Sequence, residues 1–91
     1  MPLTKRRRGF ELPTRSAAQL AHALKRWRNE ANLTQEALAE RAGVQQPTIS
    51  KMEKGIGTTT AGTLYAVCAA LDLELVVRSR PPSEPLRPED F

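Results

Sequence analysis

Cysteine and histidine are scarce in this 91-residue sequence, which contains one of each. A lone cysteine cannot form an internal disulfide, and the two residues together cannot supply the roughly four ligands of a structural zinc site. No apolar run approaches the roughly 20 residues of a membrane helix, and no apolar segment follows the basic N-terminus as in a secretory signal. We therefore expect no cofactor, no membrane association, and a cytoplasmic, nucleoid-associated location.

Aromatic residues are also few, at 4% of a chain whose hydrophobic share is 40%. These proportions favour an aliphatic, helical core, and the length suits one small domain rather than a two-domain enzyme. The sequence offers no recognisable nucleophile–base pair, metal cluster or nucleotide-binding loop. An enzyme is therefore the least favoured class.

Positive charge is concentrated towards the N-terminus. The net charge is +4 over residues 1–15, +2 over residues 16–55 and −2 over residues 56–91. A basic N-terminal region favours a polyanionic partner such as nucleic acid, because neutralising phosphates releases counterions. A merely solvated arm would have the same composition, so charge alone leaves both interpretations open.

Three regions follow from composition. Residues 1–15 contain Pro2, Gly9 and Pro13 without hydrophobic periodicity, which predicts a flexible basic arm that enters a minor groove, lies on phosphates or stays solvated. Residues 79–91 hold four of the seven prolines, which predicts an extended proline-rich tail. The core, residues 16–78, is small enough that a second subunit is expected to help bury its surface.

Hydrophobic spacing in the core predicts four helices. N-caps are expected at Ser16, Thr34 and Thr60, and left-handed or glycine ends at Asn32, Gly43 and Gly55. Cys68 is expected to be a small buried hydrophobic residue rather than a reactive thiol. The residues predicted to face inward are Leu20, Leu24, Trp27, Ala31, Ala37, Leu38, Ala42, Ile49, Met52, Ala61, Leu64, Val67, Cys68 and Leu71.

The alternation of residues 73–78 predicts one short strand after the last helix. A single strand has no partner within the chain, so pairing with the same strand of a second subunit is the simplest solution. The predicted dimerisation residues are Leu73, Leu75, Val76 and Val77. The fold class is thus an all-α helix-turn-helix domain of four to five helices, with one short C-terminal β-strand that pairs across a dimer.

Residues 33–55 carry the pattern with the clearest functional meaning. They predict two short helices that are separated by a tight turn at Gly43. The second of these helices hides Ile49 and Met52 but presents short polar side chains, and an α-helix fits the major groove of DNA. Thr34 and Gln35, at the start of the first helix, can meet a phosphate.

These residues resemble the helix-turn-helix domain of the phage-repressor/Xre family, through Leu-Thr-Gln-Glu-x-Leu-Ala, the glycine turn and Thr-Ile-Ser-x-x-Glu-x-Gly. The resemblance implies a phosphate clamp at Gln35 and an ion pair between Arg28 and Glu53. Gln45 stands where the family often has Ser or Thr, and Pro47 stands where it often has a small polar residue. The predicted DNA-binding residues are Gln35, Gln45, Gln46, Pro47, Thr48, Ser50, Lys51, Lys54 and Arg28.

A narrower resemblance is to the HipB-type antitoxins, through the helix-turn-helix, the Thr58–Thr60 turn, the C-terminal strand and the loose aromatic-ended tail. It implies a homodimeric repressor that binds double-stranded operator DNA in its own promoter and pairs with a HipA-type serine/threonine kinase toxin. Phe91 resembles an aromatic plug for a toxin pocket, against the alternative of an inert chain end. A stand-alone Xre-type repressor and an interaction module that never reads DNA are the competing functions.

Overall fold

The computed structural model describes residues 11–80 and 87–90. Within these ranges the chain forms four α-helices and a short 3-10 turn. The helices are α1 (Ala17–Glu30), α2 (Gln35–Ala42), α3 (Gln46–Lys54) and α4 (Ala61–Ala70), and the 3-10 turn is Pro88–Asp90. This order confirms the four predicted helices and the all-helical class. Among the described residues, no helix has the length and hydropathy needed to cross a membrane.

Hydroxyl side chains begin three of the four helices. The Oγ of Ser16 accepts a hydrogen bond from the amide of Gln19 at 3.2 Å. In the same way, Thr34 caps α2 and Thr60 caps α4, with distances of 3.0 and 3.1 Å to the amides three residues later. Each cap satisfies one N–H group that the first turn leaves without a partner, which confirms the three predicted caps.

Helices α2 and α3 each end at a residue whose backbone is in the left-handed conformation. Gly43 has φ 73° and Gly55 has φ 70°, and Asn32, which follows α1, has φ 58°. Glycine adopts this conformation without the steric penalty of a Cβ, so the chain can reverse within two residues. The short connection at Gly43 holds α2 and α3 in a helix-turn-helix arrangement.

The core lies where α2 meets α3 and α4 and where α1 packs against α3. Its least exposed side chains are Leu38, Ile49, Val67 and Leu71. Trp27 and Cys68 are also buried, as predicted. The prediction that Ala61 faces inward is wrong: this residue is exposed, because it lies in the first turn of α4 beside an exposed loop. The other members of the core cluster are Leu24, Ala39 and Met52.

Residues 73–80 follow the last helix and its turn without regular secondary structure. Leu73 packs partly against the core, whereas Val76 and Val77 are 65% and 93% exposed. A β-strand is defined by hydrogen bonds to a neighbouring strand, and no segment among residues 11–80 and 87–90 supplies one. The predicted pairing between two subunits stays a prediction.

The two chain ends are described only in part. Leu12, which falls within the predicted arm, packs partly against the core cluster. Residues 1–10, 81–86 and 91 lie outside the described residues, so the basic cluster at residues 5–8 and the predicted plug Phe91 receive no structural account. The domain boundaries at residues 15 and 78 stay predictions.

The buried thiol gives a first testable prediction. Burial raises the pKa of the Cys68 thiol above its ordinary value of about 8.5. Because the folded state then disfavours the thiolate, the contribution of Cys68 to stability is constant below that ordinary pKa and falls as the pH rises above it. We expect thiol reagents to label the native chain only as fast as it unfolds, and Cys68→Ala to remove the alkaline loss of stability. Rapid stoichiometric labelling of the native chain would contradict this burial.

Candidate nucleic-acid interface

Helix α3 has an apolar side in the core and a polar side on the surface. Ile49 is 1% exposed and Met52 is 8% exposed, so this side fixes the helix to the domain. Gln46, Thr48 and Ser50 are half-buried, which holds their side chains near the surface without releasing them fully into solvent. The exposed members of the same helix and its cap are Gln45, Pro47, Lys51 and Lys54.

The start of α3 is unusual for this protein because no side chain caps it. Gln45 occupies the cap position with an extended backbone, and its side chain makes no capping hydrogen bond. Pro47 lies in the first turn, where its missing N–H leaves no intrahelical bond unmade. The Gln45 amide is therefore not engaged in capping and can reach outwards from the N-terminal end of the helix.

An ion pair anchors α3 to α1. The Nε of Arg28 donates to Glu53 Oε2 at 2.6 Å, and Nη2 donates to Oε1 at 2.9 Å. Nη1 of Arg28 donates to the carbonyl oxygen of Leu33 at 2.7 Å. The two side chains are 11% and 4% exposed, so the pair is largely withdrawn from water. This geometry confirms the predicted structural pair.

Glu53 stabilises the charged form of Arg28. The hydrogen bonding of Arg28 to the Glu53 carboxylate raises the pKa of Arg28, burial lowers it, and the Coulombic attraction of Glu53 raises it again. The net effect is upward, so the guanidinium stays charged at every working pH. A bidentate arginine–carboxylate pair of this kind also fixes the relative direction of the two side chains.

Two glutamines extend this pair to the surface. The Nε2 of Gln35 donates to Glu53 Oε1 at 3.1 Å. The Nε2 of Gln46 in turn donates to Gln35 Oε1 at 2.7 Å. The four side chains Arg28, Glu53, Gln35 and Gln46 form a continuous hydrogen-bonded series, which we call the glutamine relay. It connects the interior of the domain to the N-terminal turn of α3.

The structure therefore brings together most of the predicted DNA-binding residues. Those on α3 and its cap are exposed or half-buried on one short helix, and Gln35 joins them through its bond to Gln46. Arg28 differs, because it lies behind Gln35 in the ion pair and not on the exposed side. The bond between the two glutamines was not predicted, although two glutamines at the starts of adjacent helices were visible in the sequence.

A separate groove of about 750 Å³ lies away from α3. It is lined by apolar residues that include Leu24, Trp27 and Cys68, and by the segments 11–15 and 72–80, which also carry charged side chains. The predicted dimerisation residues Leu73, Leu75, Val76 and Val77 all line it. The predicted dimerisation residues and the polar side of α3 thus belong to different parts of the chain.

Comparison with known proteins places this geometry in a family. The helix-turn-helix model HTH_3 matches residues 24–77. The antitoxin HipB of Escherichia coli K12 is 36% identical over 62 residues, which are 68% of this chain and 70% of that protein. HipB of Escherichia coli O6:H1 strain CFT073 is 34% identical over 62 residues, with 68% and 66% coverage.

Solved structures agree with the sequence comparison. A chain of the HipA-HipB-O2-O3 complex is 32% identical, with a TM-score of 0.69 over 79% of this chain and 100% of that chain. An HTH_3 family transcriptional regulator from Vibrio cholerae has a TM-score of 0.60 and 28% identity, but the match covers 33% of that chain. The chain belongs to the phage-repressor/Xre-type helix-turn-helix family of DNA-binding transcription regulators and is similar to the HipB antitoxins.

Proposed function

We propose that this protein is a dimeric, sequence-specific transcriptional repressor that also acts as the antitoxin of a HipA-type serine/threonine kinase toxin and regulates its own operon. The observation that carries the DNA-binding part is the two-sided character of α3. Ile49 and Met52 fix the helix in the core, while short polar side chains occupy the opposite, surface side. A helix held in this way can enter a major groove as a rigid element.

In this proposal the α3 side chains divide between bases and backbone. Gln46 reads a base edge, because a glutamine amide can pair with the N6 amino group and N7 of adenine. Gln45, Ser50 and Lys51 lie against neighbouring bases, and Pro47 offers apolar contact to a thymine methyl group. Gln35, Thr48 and Lys54 contact phosphates, which orients the domain without selecting a sequence.

Dimerisation is supported by the exposed apolar side chains of the segment that follows α4. Val76 and Val77 expose apolar surface that a second chain would cover, and residues 73–78 have the alternation of a strand. Pairing these segments between two subunits would bury the groove and relate the two α3 helices by a two-fold axis. We therefore propose a palindromic operator with half-sites about 34–36 Å apart, or a multiple of that distance.

The toxin partner is supported by the similarity to a chain of the HipA-HipB-O2-O3 complex, which this chain covers completely. Phe91, outside the described residues, is proposed as a side chain that docks on the kinase. A stand-alone repressor is the second candidate, supported by the likeness to the Vibrio cholerae regulator.

One experiment separates these functions from a module that never binds DNA. We expect the full chain to select a palindromic sequence from a pool of random duplexes and to retard it in a gel. Binding should weaken steeply with salt, because each phosphate contact releases about one counterion. Affinity that is insensitive to both salt and sequence would exclude the DNA-binding proposal. Capture of a kinase from native cells would then distinguish the antitoxin from the stand-alone repressor.

Removing residues 79–91 tests the role of the tail. We expect operator binding to be unchanged, because the helix-turn-helix and the proposed dimer segment both precede residue 79. Binding of the truncated chain to the captured kinase should be weakened, and Phe91→Ala is the matched single change. Loss of operator binding on truncation would place the domain boundary further along the chain.

A further inference from the structure

The loop between α3 and α4 has no role in the function proposed above. It comprises residues 55–60, all of which are exposed. The backbone amide of Ile56 donates to the carbonyl oxygen of Lys51 at 3.0 Å, and the Cδ of Lys51 lies 3.8 Å from the position that a Cβ at Gly57 would occupy. The loop therefore folds back against a side chain of α3 that we propose to lie on the bases.

Three consecutive threonines end this loop, and their side chains differ in what they contact. The Oγ1 of Thr60 accepts from the amide of Thr63 at 3.1 Å and lies 3.0 Å from the Thr63 hydroxyl. Thr59 lines a small cleft beside Leu64. The Thr58 hydroxyl has no hydrogen-bond partner within residues 11–80 and 87–90. Thr58 thus presents an unengaged hydroxyl on an exposed loop beside α3.

The other hydroxyl groups of the described ranges are less accessible to a modifying enzyme. Those at helix starts accept capping hydrogen bonds, and Thr48 and Ser50 are half-buried within α3. Thr14 and Ser79 are exposed but line the groove that the proposed dimer would cover. Phosphoryl transfer needs the acceptor oxygen in line with the bond that breaks, and an exposed loop can be drawn into that position without unwinding a helix.

We infer that Thr58 is a phosphorylation site, which the HipA-type kinase of the proposed function modifies to release the operator. The inference rests on that proposed function, because it names a substrate of the kinase and a regulation of α3. The hydroxyl oxygen of Thr58 attacks the γ-phosphorus of ATP, the bond from this phosphorus to the β,γ-bridging oxygen breaks, and ADP leaves. The hydroxyl proton passes to a carboxylate base of the kinase.

The expected consequence is electrostatic. A phosphothreonine carries a charge of about −1.5 to −2 at neutral pH. Because Thr58 directly follows Gly57, this charge comes within about one screening length, roughly 8 Å, of the Lys51 side chain. It draws the ammonium group away from DNA and repels the DNA phosphates beside α3. The core contacts of Ile49 and Met52 are untouched, so the domain stays folded while operator affinity falls.

Charge variants of the full chain test the effect on DNA binding. Thr58→Glu adds one negative charge, Thr58→Gln has a similar size without the charge, and His22→Glu adds the same charge at an exposed position of α1. We expect Thr58→Glu to weaken operator binding about tenfold at physiological salt and to reduce the salt dependence by about one counterion. Both control variants should stay within about twofold of the unaltered chain, because screening weakens distant charges. Equal affinities of Thr58→Glu and Thr58→Gln would overturn the inference.

The modification is tested with the kinase that the chain captures from native cells. The complex of this kinase with the full chain is given ATP and Mg²⁺, and tandem mass spectrometry locates the phosphate. We expect phosphate on Thr58, none at this position in Thr58→Val, and loss of operator binding by the modified chain. An unmodified Thr58 would overturn the inference while operator binding and kinase capture stand. A chain that selects no operator or captures no kinase would contradict the proposed function, and the inference with it.

Discussion

Replacing Glu53 by alanine is expected to lower the free energy of unfolding by about 3–5 kcal/mol. The change leaves the Arg28 guanidinium, whose side chain is 11% exposed, without the carboxylate that accepts two of its hydrogen bonds. An uncompensated charge in such a site is far more unfavourable than the absence of both partners. Chemical denaturation at a fixed protein concentration measures the effect, since the proposed dimerisation would make stability depend on concentration.

Two further variants show whether this loss comes from the orphaned charge. Glu40→Ala removes an exposed carboxylate from α2 and should alter stability by no more than about 0.5 kcal/mol. Arg28→Met combined with Glu53→Leu removes both charges and should restore much of the stability lost in Glu53→Ala. A Glu53→Ala variant as stable as the Glu40→Ala control would show that the pair is not withdrawn from water.

Ile49→Ala is expected to destabilise the domain by about 2–5 kcal/mol. Ile49 is 1% exposed and belongs to the core cluster, so shortening it removes packed methyl and methylene groups and leaves a cavity. Because Ile49 holds α3 in place, we also expect the variant to bind DNA more weakly and less selectively. Thermal and chemical unfolding, monitored by circular dichroism, measure the change in the free energy of unfolding.

The matched control for Ile49→Ala lies on the same helix. Lys54→Ala changes an exposed residue at the end of α3 and should leave stability within about 0.5 kcal/mol of the unaltered chain. Equal stability of the Ile49→Ala and Lys54→Ala variants would mean that α3 presents a different side to the core. That result would reverse the assignment of its polar side to the surface.

Local chemistry made the helices of this fold predictable from the sequence. Ser16, Thr34 and Thr60 mark helix starts because their hydroxyls accept amide hydrogen bonds, and Gly43 and Gly55 mark ends because they tolerate positive φ. These signals depend on a few adjacent residues. The hydrophobic period then placed Trp27 in the core without any knowledge of its neighbours.

Features that depend on contacts between elements were harder to predict. The bond between Gln35 and Gln46 joins residues 11 positions apart on two helices, and Gln35 also donates a hydrogen bond to Glu53, 18 positions away. Asp72, with φ 61°, ends the last helix in a left-handed conformation that the sequence pattern did not signal. Residues 73–78 have the alternation of a strand, but the predicted pairing would depend on a second chain.

The most direct test of the central claim is a set of intermolecular nuclear Overhauser effects between the labelled full chain and its selected duplex. We expect contacts from Gln46 and Pro47 to base protons of the major groove, including a thymine methyl group beside Pro47, and none from Ile49 or Met52. Contacts confined to another surface of the domain, with α3 remote from the duplex, would contradict that claim.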